Sequence, residues 1–319
     1  MLKKIPAKFL TLLLLTPLFL ISGSAQSKRL KNQDKQVRTV TIPISFSLRK
    51  EEKDNLSEEF IQVGDLRVKE DGDDQVILSI RSVTNTPLAL AVLIQDDLTS
   101  EANLKLDEIR KFIRSLPRGS RVMVAYLRTG TIQVRQKFTE DLEAAAKSLR
   151  IIAGTPAAAP SSPFQGVEEA LKKFDALPTG RRAILLVSDG LDVSGGVESS
   201  TPGQSLDLDR AILRAQRKSV AVYSFYSPAS LTDNNSRLSL NGQGSLERFS
   251  DETGGRAFFQ GSLAPISFEP FFKDLNKALN RQFALTYLST HLKKGYHKIQ
   301  VTSTNPEVEI EHPRGYYYR

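Results

Sequence analysis

Leu88-Ala89-Leu90-Ala91-Val92-Leu93-Ile94-Gln95, running into Asp96-Asp97-Leu98-Thr99-Ser100, is the stretch on which the fold turns. An uncharged apolar run of this length reads as a strand buried on both faces, and such strands belong to parallel sheets covered by helices. A second run, Ala183-Ile184-Leu185-Leu186-Val187, ends in the same way at Ser188-Asp189-Gly190. Two buried strands therefore stop at acidic and hydroxyl side chains. The carboxyl ends of parallel strands are where an open α/β sheet holds its ligand, and oxygens of this kind suit a hard divalent cation.

Outward from these strands, helices and strands alternate. Residues 101–116 place Ile109, Phe112, Ile113 and Leu116 on one helical face, and Pro117-Arg118-Gly119 ends the helix. A strand over 122–127 turns through Thr129-Gly130 into Ile132-Gln133-Val134, a hairpin that makes one sheet edge antiparallel. Then come a helix over 140–149, a Pro/Ala/Ser loop over 154–163, a helix over 164–177 and the strand ending at Ser188. A helix over 206–218, a strand over 220–225, a helix over 245–253, a short strand over 257–259 and a helix over 265–281 complete the series. Alternation of this kind predicts an α/β fold over residues 86–281, a doubly wound and mostly parallel sheet with right-handed crossovers.

Both flanks read as β. Residues 37–85 carry short alternating runs, Val40-Thr41-Ile42-Pro43-Ile44-Ser45-Phe46, Phe60-Ile61-Gln62-Val63 and Val76-Ile77-Leu78-Ser79-Ile80, with Glu70-Asp71-Gly72 as a turn. Residues 282–319 add strands over 282–290, 296–304, 308–312 and 315–318. Neither flank is large enough for its own core. Together they are expected to form one β-sandwich-like region into which the α/β domain is inserted.

At the amino terminus Lys3, Lys4 and Lys8 precede an apolar stretch over 9–21, and Gly23-Ser24-Ala25 supplies small residues at a cleavage position. This predicts a secretory signal peptide over 1–25, followed by a polar linker over 26–36. The apolar stretch is shorter than the roughly 20 residues of a spanning helix and contains Pro17. An exported protein, periplasmic or extracellular, with no membrane span after cleavage is expected. The chain has no cysteine, so its stability must come from its core rather than from disulfides. Cleavage would remove three of 44 basic residues against 36 acidic ones, lowering the net charge from +8 to about +5. Lys and Arg are interspersed with Asp and Glu, which argues against a nucleic-acid partner.

Three stretches resemble the von Willebrand factor A-type domain, and more closely the von Willebrand factor A-related acidobacterial domain family: Val92-Leu93-Ile94-Gln95-Asp96-Asp97-Leu98, Ile184-Leu185-Leu186-Val187-Ser188-Asp189-Gly190 and Glu252-Thr253-Gly254-Gly255-Arg256-Ala257-Phe258. Gly295-Tyr296-His297-Lys298-Ile299 and Arg314-Gly315-Tyr316-Tyr317 are similar to that family's carboxyl end. The resemblance implies a metal-ion-dependent adhesion site: Asp-x-Ser-x-Ser after the first strand, a Thr from a later loop and an Asp after a middle strand. Hydroxyls and few direct carboxylates would hold Mg²⁺ or Mn²⁺ and leave it electrophilic toward an acidic side chain of a protein or cell-envelope partner.

Carried over residue by residue, that pattern is incomplete. With Asp96 in the first acidic position Ser100 takes the second hydroxyl, but Leu98 stands where the first Ser belongs. In the shifted register Asp97 and Thr99 form the pair, with Glu101 in the last Ser position. The later hydroxyl falls on Ser162, with Ser161 and Thr155 as alternates, and the middle-strand acid on Asp189. The expected metal ligands are thus Asp96, Ser100, Ser162 and Asp189, with Asp97, Thr99 and Thr155 as alternates.

Simpler roles compete. Thr99 or Ser100 can cap the following helix without any metal, and Ser188-Asp189-Gly190 can be a strand-ending turn. Asp192 is either an outer helper or a solvated loop residue. His291, His297 and His312 all lie in the terminal β region, with no cysteine and no helical i, i+4 pair, which disfavours a zinc site. Neither a P-loop nor a dinucleotide fingerprint occurs, and Ser188 has no histidine in the α/β region to activate it. The expected function is a non-enzymatic binding module. The alternative is a metal-dependent hydrolase or phosphoryl-transfer enzyme built on Asp96, Asp97 and Asp189.

Overall fold

The computed structural model describes residues 37–48, 65–83, 86–154, 160–178, 180–261 and 263–318. The signal peptide and linker expected over 1–36, the strand expected at 60–63 and the alternate ligand Thr155 lie outside the described residues.

Three strands open the described chain: β1 (Arg38–Leu48), β2 (Leu66–Glu70) and β3 (Asp73–Ser82). Six more form the mixed sheet of the centre: β4 (Leu88–Gln95), β5 (Arg121–Arg128), β6 (Thr131–Thr139), β7 (Arg181–Ser188), β8 (Val220–Tyr226) and β9 (Ala257–Phe258), in the order β6-β5-β4-β7-β8-β9. All neighbours run parallel except β5 and β6, the hairpin at the edge. Thr129 and Gly130 both have positive φ at its two-residue turn (+50° and +72°), the twist that suits a tight hairpin.

Helices cover both faces of this sheet. Leu90, Val92 and Ile94 of β4 pack with α1 (Leu106–Ser115), α2 (Leu142–Lys147) and α7 (Glu269–Asn280). Ala89, Ala91 and Leu93 point the other way, toward α3 (Pro163–Lys172), α4 (Leu206–Lys218) and α6 (Ser236–Thr253). A one-turn helix, α5 (Ser230–Asp233), precedes α6. Burial on both faces is why β4, β7 and β8 lack polar alternation.

Three helices depart from the sequence pattern; the one expected over 164–177 ends as α3 at Lys172 and continues as a 3₁₀ segment over Lys173–Ala176. The region 101–116 is a 3₁₀ segment (Ser100–Lys105) before α1, because its entry is pinned. Leu98 bridges to Ala229, and Asn103 Oδ1 accepts the Ile152 N–H at 2.7 Å. α6 begins at Ser236 rather than 245, capped by Asn235, whose side chain accepts the Leu238 N–H at 3.1 Å. Gly242 and Gly244 had hidden its first turns.

β10 (Gln282–Ser289), β11 (Gly295–Ser303), β12 (Val308–Glu311) and β13 (Gly315–Tyr318) join β1, β2 and β3 in one antiparallel sheet, ordered β12-β1-β10-β3-β2-β11-β13. In place of the two facing sheets of a sandwich, a single curled sheet encloses its own core: Val40, Ile42, Ile44 and Phe46 of β1 share one buried cluster with Val68, Leu285, Tyr287, Ile299 and Val301. Among the described residues, no helix is long and apolar enough to cross a membrane.

Candidate functional site at the sheet edge

In the central sheet the chain leaves β4 for β5 on one side and returns to β7 on the other. A crevice opens at such a switch point beyond the strand carboxyl ends. Here it is a cleft of about 340 Å³, lined by Gln95, Asp97, Arg128, Ser161, Ser162 and Asp189, with apolar walls that include Leu127, Leu191 and Leu231.

Asp189 forms the floor. It is 3% exposed, its Oδ1 accepts the Leu191 N–H at 3.1 Å, and Oδ2 receives a long bond, 3.4 Å, from Thr232 Oγ1. Burial, reinforced by the charge of Asp97, pushes its carboxyl up to about 7. Ser162 is fully buried and caps α3, accepting the Phe164 N–H at 3.3 Å. Ser162 is one of the residues lining the cleft.

Asp96 does not join them. Arg150 grips both of its oxygens, Nη1 to Oδ1 at 2.7 Å and Nη2 to Oδ2 at 2.9 Å, and the Ala153 N–H adds a third bond at 3.1 Å. Burial pushes this carboxyl up, but the Arg150 bonds and charge outweigh it, and Asp96 sits below the usual carboxylate range. Arg150 is itself held over the Tyr126 ring at 4.1 Å, and Tyr126 Oη donates to the Arg150 carbonyl at 2.7 Å. An internal guanidinium thus supplies the positive charge that this aspartate requires.

The other expected residues divide. Leu98 is fully buried in the core, so the first Ser position turns inward and offers no oxygen. Ser100 is exposed at the start of the 3₁₀ segment and does not line the cleft. Thr99 occupies the cap position without capping, and its buried hydroxyl has no partner. Asp192 is 4% exposed: its Oδ1 accepts from Ser194, while the Ser205 hydroxyl donates to Oδ2, which ties the loop to the start of α4. That is a structural role.

Gln95 and Arg150 were not anticipated. Gln95 Oε1 accepts from the Ser188 hydroxyl and from the Asp189 N–H at 3.2 Å, so a neutral amide stands beside the buried acid. Its signal was present, a lone polar residue ending an otherwise apolar strand. Arg150 had none, since it lies in a connection whose path no periodicity defines.

The donor set tests the divalent ion that the resemblance implies. The full five-residue pattern does not assemble, because Asp96 is neutralised and Leu98 is in the core. A reduced set fits: two acids of which one feels the other's charge, and Ser162 on the wall; Thr99, whose buried hydroxyl has no partner, does not line the cleft. Among the residues lining this cleft there is neither His nor Lys.

By sequence the chain matches no family model and no curated protein. Solved structures similar to part of it include a von Willebrand factor type A protein from Catenulispora acidiphila, 11% identical, covering 80% of this chain and 74% of that one with a TM-score of 0.43. The conserved hypothetical protein BatB from Bacteroides thetaiotaomicron is 12% identical, with 60% and 97% covered and a TM-score of 0.41. An aerotolerance-related membrane protein from Bacteroides fragilis is 13% identical, with 60% and 98% covered and a TM-score of 0.39.

Proposed function

We propose that this protein is a non-enzymatic interaction module, a doubly wound von Willebrand factor A-like domain that engages a protein or cell-envelope partner through the crevice between β4 and β7. The observation that carries the reading is the convergence of Asp97, Ser162 and Asp189 on one cleft at the switch point, while Asp96 is withdrawn into an ion pair. Asp97, Ser162 and Asp189 are the residues that would hold Mg²⁺ or Mn²⁺, which would offer an electrophilic centre to an acidic side chain of the partner. The apolar walls would exclude water around that contact and strengthen it. Export to the periplasm or beyond belongs to the same proposal.

Thermal melting with and without Mg²⁺ or Mn²⁺ tests the ion, because a ligand of the folded state raises its apparent stability. The expected result is a rise for the wild type that disappears in Asp189→Asn. Equal behaviour of the two would remove the ion and leave a metal-free cleft. A photocrosslinker at Leu231, exposed on the cleft rim, tests the partner: a defined adduct that weakens in Asp97→Asn supports the module. Hydrolysis of phosphate esters that depends on Mg²⁺ and is abolished by Asp97→Asn would instead establish the enzyme, for which the value near 7 at Asp189 is the one favourable observation.

A further inference from the structure

A second cluster lies on the antiparallel sheet, far in sequence from the crevice. Asp71 and Gly72 form the two-residue turn between β2 and β3, both with positive φ (+50° and +96°), which aims the Asp71 side chain across the sheet. The Lys298 N–H donates to Asp71 Oδ1 at 2.8 Å, fixing the carboxylate. Its other oxygen, Oδ2, lies 2.8 Å from His297 Nδ1 and 3.9 Å from His291 Nδ1. Three segments meet here: the β2–β3 turn, the connection after β10, and β11.

The tautomer of His297 makes this arrangement informative. Its Nε2 is 2.7 Å from the Lys293 carbonyl, which can only accept, so Nε2 carries a hydrogen. In the neutral ring Nδ1 then presents a lone pair to Asp71 Oδ2, and also to Glu70 Oε1 at 3.3 Å. A second hydrogen on Nδ1 or a cation drawn in beside it satisfies these acceptors. Glu70 is fully buried; its Oε1 already accepts from Tyr316 at 2.7 Å and Arg38 at 3.2 Å, while its Oε2 has no partner. His291 lies alongside: its Nδ1 is 3.9 Å from Asp71 Oδ2, and its Nε2 is 3.3 Å from Asp73 Oδ2 without a hydrogen bond. His297 thus has an acceptor bonded behind Nε2, the outer-shell pattern of a metal-bound histidine, and both Nδ1 atoms lie near Asp71 Oδ2. His297 is further held by stacking on Tyr316, with ring centroids 5.4 Å apart.

We propose that His291 Nδ1, His297 Nδ1 and Asp71 Oδ2 form a binding site for a Zn²⁺-class cation, with Glu70 alongside to balance its charge. Two imidazole nitrogens and a carboxylate select a borderline transition metal over Mg²⁺. The three residues' donor atoms lie within 4.8 Å of one another, and a tetrahedral site with arms of about 2.1 Å spaces its ligands by about 3.4 Å. Small side-chain rotations close the difference. Asp71 is exposed, so the fourth position is open to water. Bound there, the ion staples the turn, the β10–β11 connection and β11 of the curled sheet, independently of the crevice.

Calorimetric titration of the full chain with Zn²⁺ tests the site, with Asp71→Asn and His291→Gln as variants. Asn tolerates the positive φ of position 71, and His291 is partly exposed, so both variants are expected to fold, which circular dichroism checks. One equivalent of Zn²⁺ is expected, with affinity reduced about 100-fold or more in each variant and unchanged in Asp189→Asn. With Co²⁺ in place of Zn²⁺, visible absorption bands of a tetrahedral site are expected in the wild type and not in the variants. No uptake by the folded wild type, or uptake indifferent to both variants, overturns the proposal. Uptake lost in Asp189→Asn alone would place the ion at the sheet edge and overturn it equally.

Discussion

Asp96 and Asp189 end neighbouring strands and meet opposite fates. Asp96 is buried but paired, so truncating its main partner in Arg150→Met leaves it with only the longer contact to Arg128, 3.5 Å, and the Ala153 N–H. A loss of about 3 kcal/mol in urea unfolding is expected, and adding Asp96→Asn should recover part of it. Because its native pKa lies below the ordinary 3.8, the pair contributes fully above that pH and is lost as pH falls through the lowered native value. Asp189 works in the reverse sense. Its value of about 7 against 3.8 means the folded state holds a proton that the unfolded chain has released. Stability should therefore fall as pH rises from about 4 through 7. Urea midpoints at pH 5 and pH 8 should differ less in Asp189→Asn than in the wild type, and Mg²⁺, if it binds, should narrow the wild-type difference too.

At the scale of elements, the central sheet was legible because β4, β7 and β8 are almost uniformly apolar and α4 carries an unbroken helical face. The Asp189 region was legible as a strand ending in a polar turn. The partner of Asp96 was not, because pairing across 54 residues leaves no local trace. The start of α6 was illegible for a related reason. Gly242 is helical yet lies so close to the turn after β7 that a Cβ there would stand 2.0 Å from the Asp189 carbonyl oxygen. Helix propensity alone predicts a gain of about 1 kcal/mol for Gly242→Ala. The contact predicts the opposite, a loss of about 2 kcal/mol or more from forced backbone displacement, together with disturbance of the cleft floor. Chemical denaturation decides the sign. Ser219, which ends α4 at φ +51°, is the converse: Ser219→Gly relieves a left-handed residue and should add about 0.5–1 kcal/mol.

On the scale of the whole molecule, the apolar cores follow the two sheets. Both clusters against the central sheet draw only on residues between Leu88 and Leu279, and the third draws only on the flanking strands. What joins the two parts is largely polar: Arg181 Nε donates to Gln282 at 2.8 Å, Arg256 pairs with Glu311, and the Arg217 guanidinium stacks 3.9 Å from the Tyr317 ring. Interfaces of this character resemble those between domains rather than a divided core. The β pattern of both flanks could be read, but the single curled sheet could not, since it pairs β1 with β10 across more than 200 residues. Residues 86–281, expressed alone, are therefore expected to fold cooperatively. They should melt a few degrees below the full chain, because Arg181, buried and with its ionised form disfavoured by that burial, loses Gln282. Residues 37–85 alone supply only part of one face of the curled sheet and should remain unfolded. A fragment 86–281 without a cooperative calorimetric transition would mean that the inserted part depends on the sheet flanking it.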